Sequence, residues 1–281
     1  MTNDPSWAIP PTLLFCPGHR ADRFDKACSL APAVVLDLED AVPVAQKAQA
    51  RHNALEWLAQ RTDAAQYALR INDLQSADGL DDVHALLRCE RLPARLVIVV
   101  PKTGHPRELQ WLRTQLARRF ADLRYLALIE SLEGLRSVQP IVEQGRPDAL
   151  GFGAADLAAE LGIRGDWEAL LFARSSVVAA ASSRGLAALD VPELDVADDE
   201  ALRAACARSK ALGFSGKFAI HPRQVPVILQ SFEPDAQEIA TAVRVREAFE
   251  AAGSAACLVD GRMVDVPVYN AARRVLARAH R

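Results

Sequence analysis

Residues 33–42 read AVVLDLEDAV, an apolar run that stops in three carboxylates, Asp37, Glu39 and Asp40. A run of this length suits a core strand, and like charges at its end repel unless solvent, a cation or hydrogen-bond donors neutralise them. A solvated helix N-terminus also favours acids, so the motif alone leaves both origins open. The pattern recurs, however. Further β-type runs lie at Thr12 to Phe15, Tyr67 to Ile71, Leu96 to Pro101, Tyr125 to Ile129, Ala149 to Phe152, Leu186 to Leu189 and Lys217 to Ile220. Between them, segments such as Ala45 to Arg61, Pro106 to Ala121 and Asp198 to Leu212 repeat apolar residues at helical spacing. Eight strands alternating with helices fit an α/β fold of the (β/α)8 TIM-barrel type better than an open doubly wound sheet. The Gly-rich dinucleotide fingerprint is also missing. The expected organisation is a barrel catalytic domain over residues 1–230 and a C-terminal helical or flap extension over 231–281, packing on the barrel or on a neighbouring subunit. In that extension Gly253, Gly261 and Pro267 mark turns around a short apolar stretch.

At 281 residues, half of them apolar and a quarter charged, the chain has the composition of a soluble globular protein with a sizeable core. A net charge of -3, with basic residues dispersed among helices, makes no electrostatic case for a nucleic-acid partner. No apolar run approaches a membrane span, and MTNDPSWAIPP lacks the layout of a signal peptide, so a cytoplasmic protein without a membrane partner is expected. Cys16, Cys28, Cys89, Cys206 and Cys257 are odd in number and widely spaced, which suggests neither a disulfide framework nor a zinc site. Cys16 is expected to be a small buried residue.

A barrel of this type gathers all C-terminal strand ends around one mouth. The groups there would be His19 and Arg20, the acids Asp37, Glu39 and Asp40, then Arg70, Asn72, Lys102, Glu130, Asp156, Asp190 and His221. Nearly every strand contributes an ionisable group, which points to an active site. Glu130 and Asp156, one β/α unit apart, would hang from adjacent strands and hold Mg2+, leaving coordination positions for water and an oxygen-rich substrate. Arg70 offers a fork for a substrate carboxylate, or a salt bridge to the Asp37 cluster; both can hold at once. A metal beside a carboxylate clamp suits a 2-oxo acid.

The segments LFCPGHRADRFDKA, VVLDLEDAV, LRIN, VPKT, ALIES, GFGAADLAAELG, GFSGKFAIHPRQV and GRMVDVPV, in this order from about Leu13 to Ala272, resemble the citrate lyase β-subunit-like group. That group belongs to the HpcH/HpaI aldolase superfamily and includes malyl-CoA and citramalyl-CoA lyases. The resemblance implies a (β/α)8 barrel, commonly trimeric, that uses Mg2+ to make or break a carbon–carbon bond between an acyl-thioester enolate and a 2-oxo acid. By the same resemblance Glu130 and Asp156 are metal ligands and Arg70 binds the substrate carboxylate. Glu39 and Asp40 orient metal-bound water and include the base for the substrate hydroxyl. Asp265, in MVD, is an acid delivered by the arm of an adjacent subunit to move a proton at the enolate carbon. Gly151 and Gly153 allow close backbone approach near the metal, or serve a tight strand-to-helix turn. Arg20, Arg23 and Lys26 meet the phosphates of CoA, or belong to solvated helix faces.

PKTGH replaces the PKVES common in the group, His19 follows the glycine of the first motif, and the VPELDV loop is compact. These departures bear on substrate identity. The expectation is therefore a Mg2+-dependent lyase acting on a CoA thioester, with two alternatives: a CoA-independent 2-oxo acid aldolase, and a citrate lyase β subunit working on an acyl-carrier protein.

Overall fold

Every apolar run becomes a strand of one closed, all-parallel barrel. The strands are β1 (Thr12–Pro17), β2 (Ala33–Asp37), β3 (Gln66–Arg70), β4 (Leu96–Val100), β5 (Arg124–Ile129), β6 (Ala149–Phe152), β7 (Ala187–Asp190) and β8 (Gly216–Ala219). Each pairs with its successor, and β8 closes onto β1 through Thr12 and Lys217. The computed structural model describes residues 8–279. Residues 1–7, within the N-terminal MTNDPSWAIPP stretch, and residues 280–281 lie outside the described residues. Strand boundaries agree with expectation to within two residues. β7 starts at Ala187 rather than Leu186, because the Leu186 N–H is committed to Ala181 O at the preceding helix end.

The helices interleaved with and following these strands are α1 (Phe24–Leu30), α2 (Lys47–Ala59), α3 (Ala77–Arg88), α4 (Pro106–Leu116), α5 (Leu132–Arg136), α6 (Val138–Pro140), α7 (Ala154–Leu161), α8 (Leu171–Ser183), α9 (Asp199–Leu212) and α10 (Gln224–Phe232). Caps fix several starts: the Asp198 side chain accepts from Glu200 N and Ala201 N, and Ser76 accepts from Gly79 N. Among the described residues, no helix is long and apolar enough to cross a membrane.

The barrel interior is filled by alternate residues of all eight strands, namely Leu13, Ala33, Val35, Ala68, Val97, Val99, Leu126, Leu128, Ala149, Leu189 and Phe218, with Phe15 packed against them. Strand side chains alternate between faces. Counting two residues beyond these interior positions therefore brings Asp37, Arg70 and Glu130 to the inner face at the barrel's C-terminal end. The same count sends Asp190 and Lys217 outward, toward the helices.

The chain divides into two units, Met1–Leu229 and Gln230–Arg281. In the second, α11 (Ala236–Ala251) begins with a reciprocal capping box between Asp235 and Glu238. The hairpin β9 (Cys257–Val259) and β10 (Arg262–Val264) turns through Asp260 and Gly261, both at positive φ. With α12 (Val266–Ala279) it encloses a small core of Ala242, Val245, Phe249, Val264, Ala272 and Leu276, over which Phe249 and Tyr269 stack. A two-stranded hairpin has little stability alone, so its packing with the helix pair is what makes it persist.

Candidate active site

The acids after β2 are organised by one arginine. Arg70 Nε donates to Asp37 Oδ1 at 2.6 Å and Nη2 to Asp37 Oδ2 at 2.7 Å. Asp37 is fully buried and also accepts from the backbone N–H groups of Glu39 and Ala41, at 3.0 and 3.1 Å. Each carboxylate oxygen thus has two donors, which holds a buried charge without an orphaned lone pair. Arg70 Nη1 lies 2.8 Å from Glu39 Oε2 and 3.4 Å from Asp40 Oδ2, while its guanidinium stacks over the Phe15 ring. The fork is therefore spent on Asp37, and only the Nη1 edge remains for a substrate. Burial works against the charge of Arg70, but the Asp37 bonds and the charges of Asp37, Glu39 and Asp40 outweigh it and raise its pKa.

Across the mouth, Glu130 is 6 % exposed and its Oε1 accepts the Lys102 N–H at 2.8 Å. Burial pushes its carboxyl up to about 7; the Lys102 hydrogen bond and Arg70 oppose the shift, while Asp156 and Asp40 reinforce it. Asp156 sits in the first turn of α7, with Lys102 Nζ 3.6 Å from its Oδ2. That oxygen is buried and has no hydrogen-bond donor. Gly153 lies against Glu130: a Cβ at this position would overlap the Glu130 Cβ and carboxylate. Its glycine is explained by that close approach.

Glu39 completes the constellation. Burial lifts its carboxyl to about 8, opposed by Arg70 and reinforced by Glu130, Asp40 and Asp37. The Arg70 Nη1 contact is not aligned as a hydrogen bond, so Glu39 Oε2 also lacks a donor. Five carboxylates (Asp37, Glu39, Asp40, Glu130 and Asp156) thus face the two cations Arg70 and Lys102.

Other expected members lie elsewhere. Asp190 is buried on the helix side of the sheet, bound to Arg174 Nε at 3.2 Å and Ser209 Oγ at 2.5 Å, with Lys217 Nζ at 3.6 Å. It anchors α8 and α9 to the barrel and does not face the mouth. Gly151 is likewise a packing position, since a Cβ there would strike Leu128 and Phe218 inside the barrel. His221 is exposed, and its Nδ1 accepts the Arg223 N–H. Arg20 spends its guanidinium on neighbouring Asp22, and Lys26 is exposed on α1. Asp265 is half-buried in the second unit, where its Oδ1 accepts from Val268 N and its carbonyl from Tyr269 N, capping α12. Cys16 is buried, its thiol pushed up to about 11 by burial, and none of the five cysteines forms a disulfide.

Two supporting networks escaped the sequence. Lys47 donates to Leu38 O, Glu39 O and Asn72 Oδ1, pinning the acidic loop to the end of β3. Asn72 is held in turn by Asp82, which also binds Arg51. The available signal was Asp82 itself, an acid one turn before Leu86 on the buried face of α3. Gln224 links the β7 and β8 loops by accepting from Ile220 N and donating to Glu193 O; nothing in its local sequence marks it.

A family model described as HpcH/HpaI aldolase/citrate lyase matches residues 11–222. The chain belongs to this family. A citrate lyase subunit beta-like protein of Deinococcus radiodurans is 36 % identical over 95 % of this chain and 96 % of its own length. The L-malyl-CoA/beta-methylmalyl-CoA lyase of Cereibacter sphaeroides is 34 % identical over 95 % and 93 %. The crystal structure of CitE from Mycobacterium tuberculosis in complex with magnesium, acetoacetate and coenzyme A superposes with a TM-score of 0.83, at 33 % identity, covering 98 % of this chain and 99 % of that one. Membership in this family makes the protein an enzyme of the carbon–carbon lyase class.

Proposed function

We propose that this protein is a Mg2+-dependent carbon–carbon lyase that cleaves or forms a 3-hydroxyacyl-CoA thioester of the malyl-, citramalyl- or citryl-CoA type, by way of a thioester enolate and a 2-oxo acid. The observation that carries this is the excess of carboxylates over cations at the barrel mouth, with Asp156 Oδ2 buried and lacking a hydrogen-bond donor beside Glu130. An all-oxygen donor set suits a hard cation. Among the described residues, no three His, Cys, Asp or Glu side chains form a ready-made metal cage. That agrees with a site in which two carboxylates, Glu130 and Asp156, hold Mg2+ and the remaining positions belong to water and substrate. When bound, the ion would supply Lewis-acid polarisation of the substrate oxygens. The malyl-CoA lyase and the CitE complex with magnesium, acetoacetate and coenzyme A support this assignment.

In the cleavage direction, the Nη1 edge of Arg70 orients the substrate carboxylate, its other edge being braced by Asp37. Glu39 receives the substrate hydroxyl proton at Oε2, the oxygen that lacks a donor, directly or through a water oriented by Asp40. As the carbon–carbon bond breaks, Asp265 from the arm of a neighbouring copy gives a proton to the enolate carbon. Gly153 leaves the space that the Glu130 carboxylate occupies, and Arg23 and Lys26, with Arg20 exchanging its exposed Asp22 partner, attract the phosphates of CoA. The working form is a cytoplasmic homo-oligomer, a trimer or a multiple of it.

The test is a cleavage screen of malyl-, citramalyl-, 3-methylmalyl- and citryl-CoA with Mg2+, detecting released 2-oxo acid, with free 4-hydroxy-2-oxo acids in parallel. Release from one thioester that stops with EDTA is the expected result. Release from the free acids alone would assign a CoA-independent aldolase. Silence throughout would point to dependence on an acyl-carrier protein.

A further inference from the structure

Lys102 addresses both candidate metal ligands with different parts of itself. Its backbone N–H is bound to Glu130 Oε1, and its ammonium stands 3.6 Å from Asp156 Oδ2. The residue has φ of +47°, a left-handed conformation that side chains with a Cβ adopt only at a cost. The turn is held there by Thr103, fully buried, whose N–H binds Leu128 O and whose Oγ1 binds Val100 O. An ordinary surface ion pair needs no such support. The Lys102 side chain is 41 % exposed and that of Asp156 39 %, and their separation exceeds a hydrogen bond, so the ammonium can be displaced at little cost.

We propose that Lys102 is a resident stand-in for the metal: without Mg2+ its ammonium neutralises Asp156, and metal binding displaces it from that carboxylate. This rests on the assignment of Glu130 and Asp156 as the Mg2+ ligands. Two cations cannot share the Asp156 carboxylate without repulsion, so the lysine that keeps the empty cluster from repelling itself also competes with the metal. Once displaced, the ammonium stays within reach of the charges of Glu39 and Asp40, which it already feels. Each state of the mouth then keeps a cation on Asp156.

The discriminating variant is Lys102→Met, which keeps the N–H to Glu130 and an unbranched side chain one atom shorter but removes the charge. Mg2+ and Mn2+ are titrated calorimetrically into EDTA-stripped wild type and variant at low ionic strength, without substrate. The expected result is binding tighter by about two- to fivefold in the variant, the range for a partly exposed ion pair. Equal or weaker binding would overturn the stand-in role while leaving the metal site intact. Absence of binding in both proteins would instead remove the metal assignment. Should the variant fail to fold, acylation of Lys102 in the wild type, followed by peptide mass mapping, decides the matter: Mg2+ must accelerate labelling, and an unchanged or slower rate overturns the proposal.

Discussion

Arg70 and Asp37 meet through two parallel hydrogen bonds, Nε to Oδ1 and Nη2 to Oδ2, with Asp37 completely shielded from solvent. The pair couples the end of β2 to the end of β3 and leaves one guanidinium edge facing the mouth. Replacing Asp37 with Leu strands a buried guanidinium, so the variant should lose about 3–5 kcal/mol of stability in urea unfolding and all measurable lyase activity. A loss below 1 kcal/mol would mean that Arg70 finds other partners.

Gly153→Ala addresses the proposed metal site without replacing either proposed ligand. The backbone at Gly153 is extended, with φ of -111°, so alanine is tolerated conformationally. Its methyl group must push Glu130 aside. Mg2+ affinity should fall about 10- to 100-fold with an unchanged far-UV spectrum; affinity equal to wild type would free Glu130 from metal duty.

Asp156→Ala should reduce EDTA-sensitive turnover at least about 100-fold, since one of only two carboxylates proposed to hold the ion is gone. Full activity in this variant, measured as released 2-oxo acid, would exclude Asp156 as a ligand.

Asp265 combines a structural role with a proposed chemical one, and two variants separate them. Asn caps helices about as well as Asp, so Asp265→Asn should keep the thermal midpoint and lose turnover. Asp265→Ala should lose the cap as well, costing about 1 kcal/mol more. Retained activity in Asp265→Asn would leave the residue with its cap alone.

The metal-free protein should become less stable as pH rises. Glu39 and Glu130 are lifted from an ordinary 4.5 to about 8 and about 7. The folded state therefore holds protons that the unfolded chain releases. Their stabilising effect is complete below pH 4.5 and is lost as pH climbs through 7 to 8. Urea midpoints of EDTA-treated protein should fall between pH 5 and 9, and Glu39→Gln should flatten the upper part of that fall. A midpoint that fails to respond to Glu39→Gln would contradict the burial of an ionisable Glu39.

Much of the fold was legible because a parallel barrel writes each strand as a short, fully apolar run between helical periods. ALGF became a strand with the boundaries read from its sequence, and the helical segment read from Asp198 starts there through its cap. The site was only partly legible. Asp37, Arg70, Glu39, Glu130 and Asp156 converge, whereas Asp190, placed in the same ring by its position after an apolar run, faces α8 and α9. Gly151 and Gly153 read alike in GFGAAD, yet one fills the barrel interior and the other gives way to Glu130.

The sequence by itself determined the eight-strand alternation, the acids after β2, β5 and β6, and the family to which the chain belongs, because those features are local and repeat in order. Only the tertiary structure decided which strand-end charges meet. Both faces of every barrel strand are buried, so no polar alternation reveals which residues point inward, and a shift of one residue reverses the answer. Closure of the barrel sets that parity. It is also what places the Lys102 amide on Glu130 and its ammonium beside Asp156, across two strand boundaries that no local pattern spans.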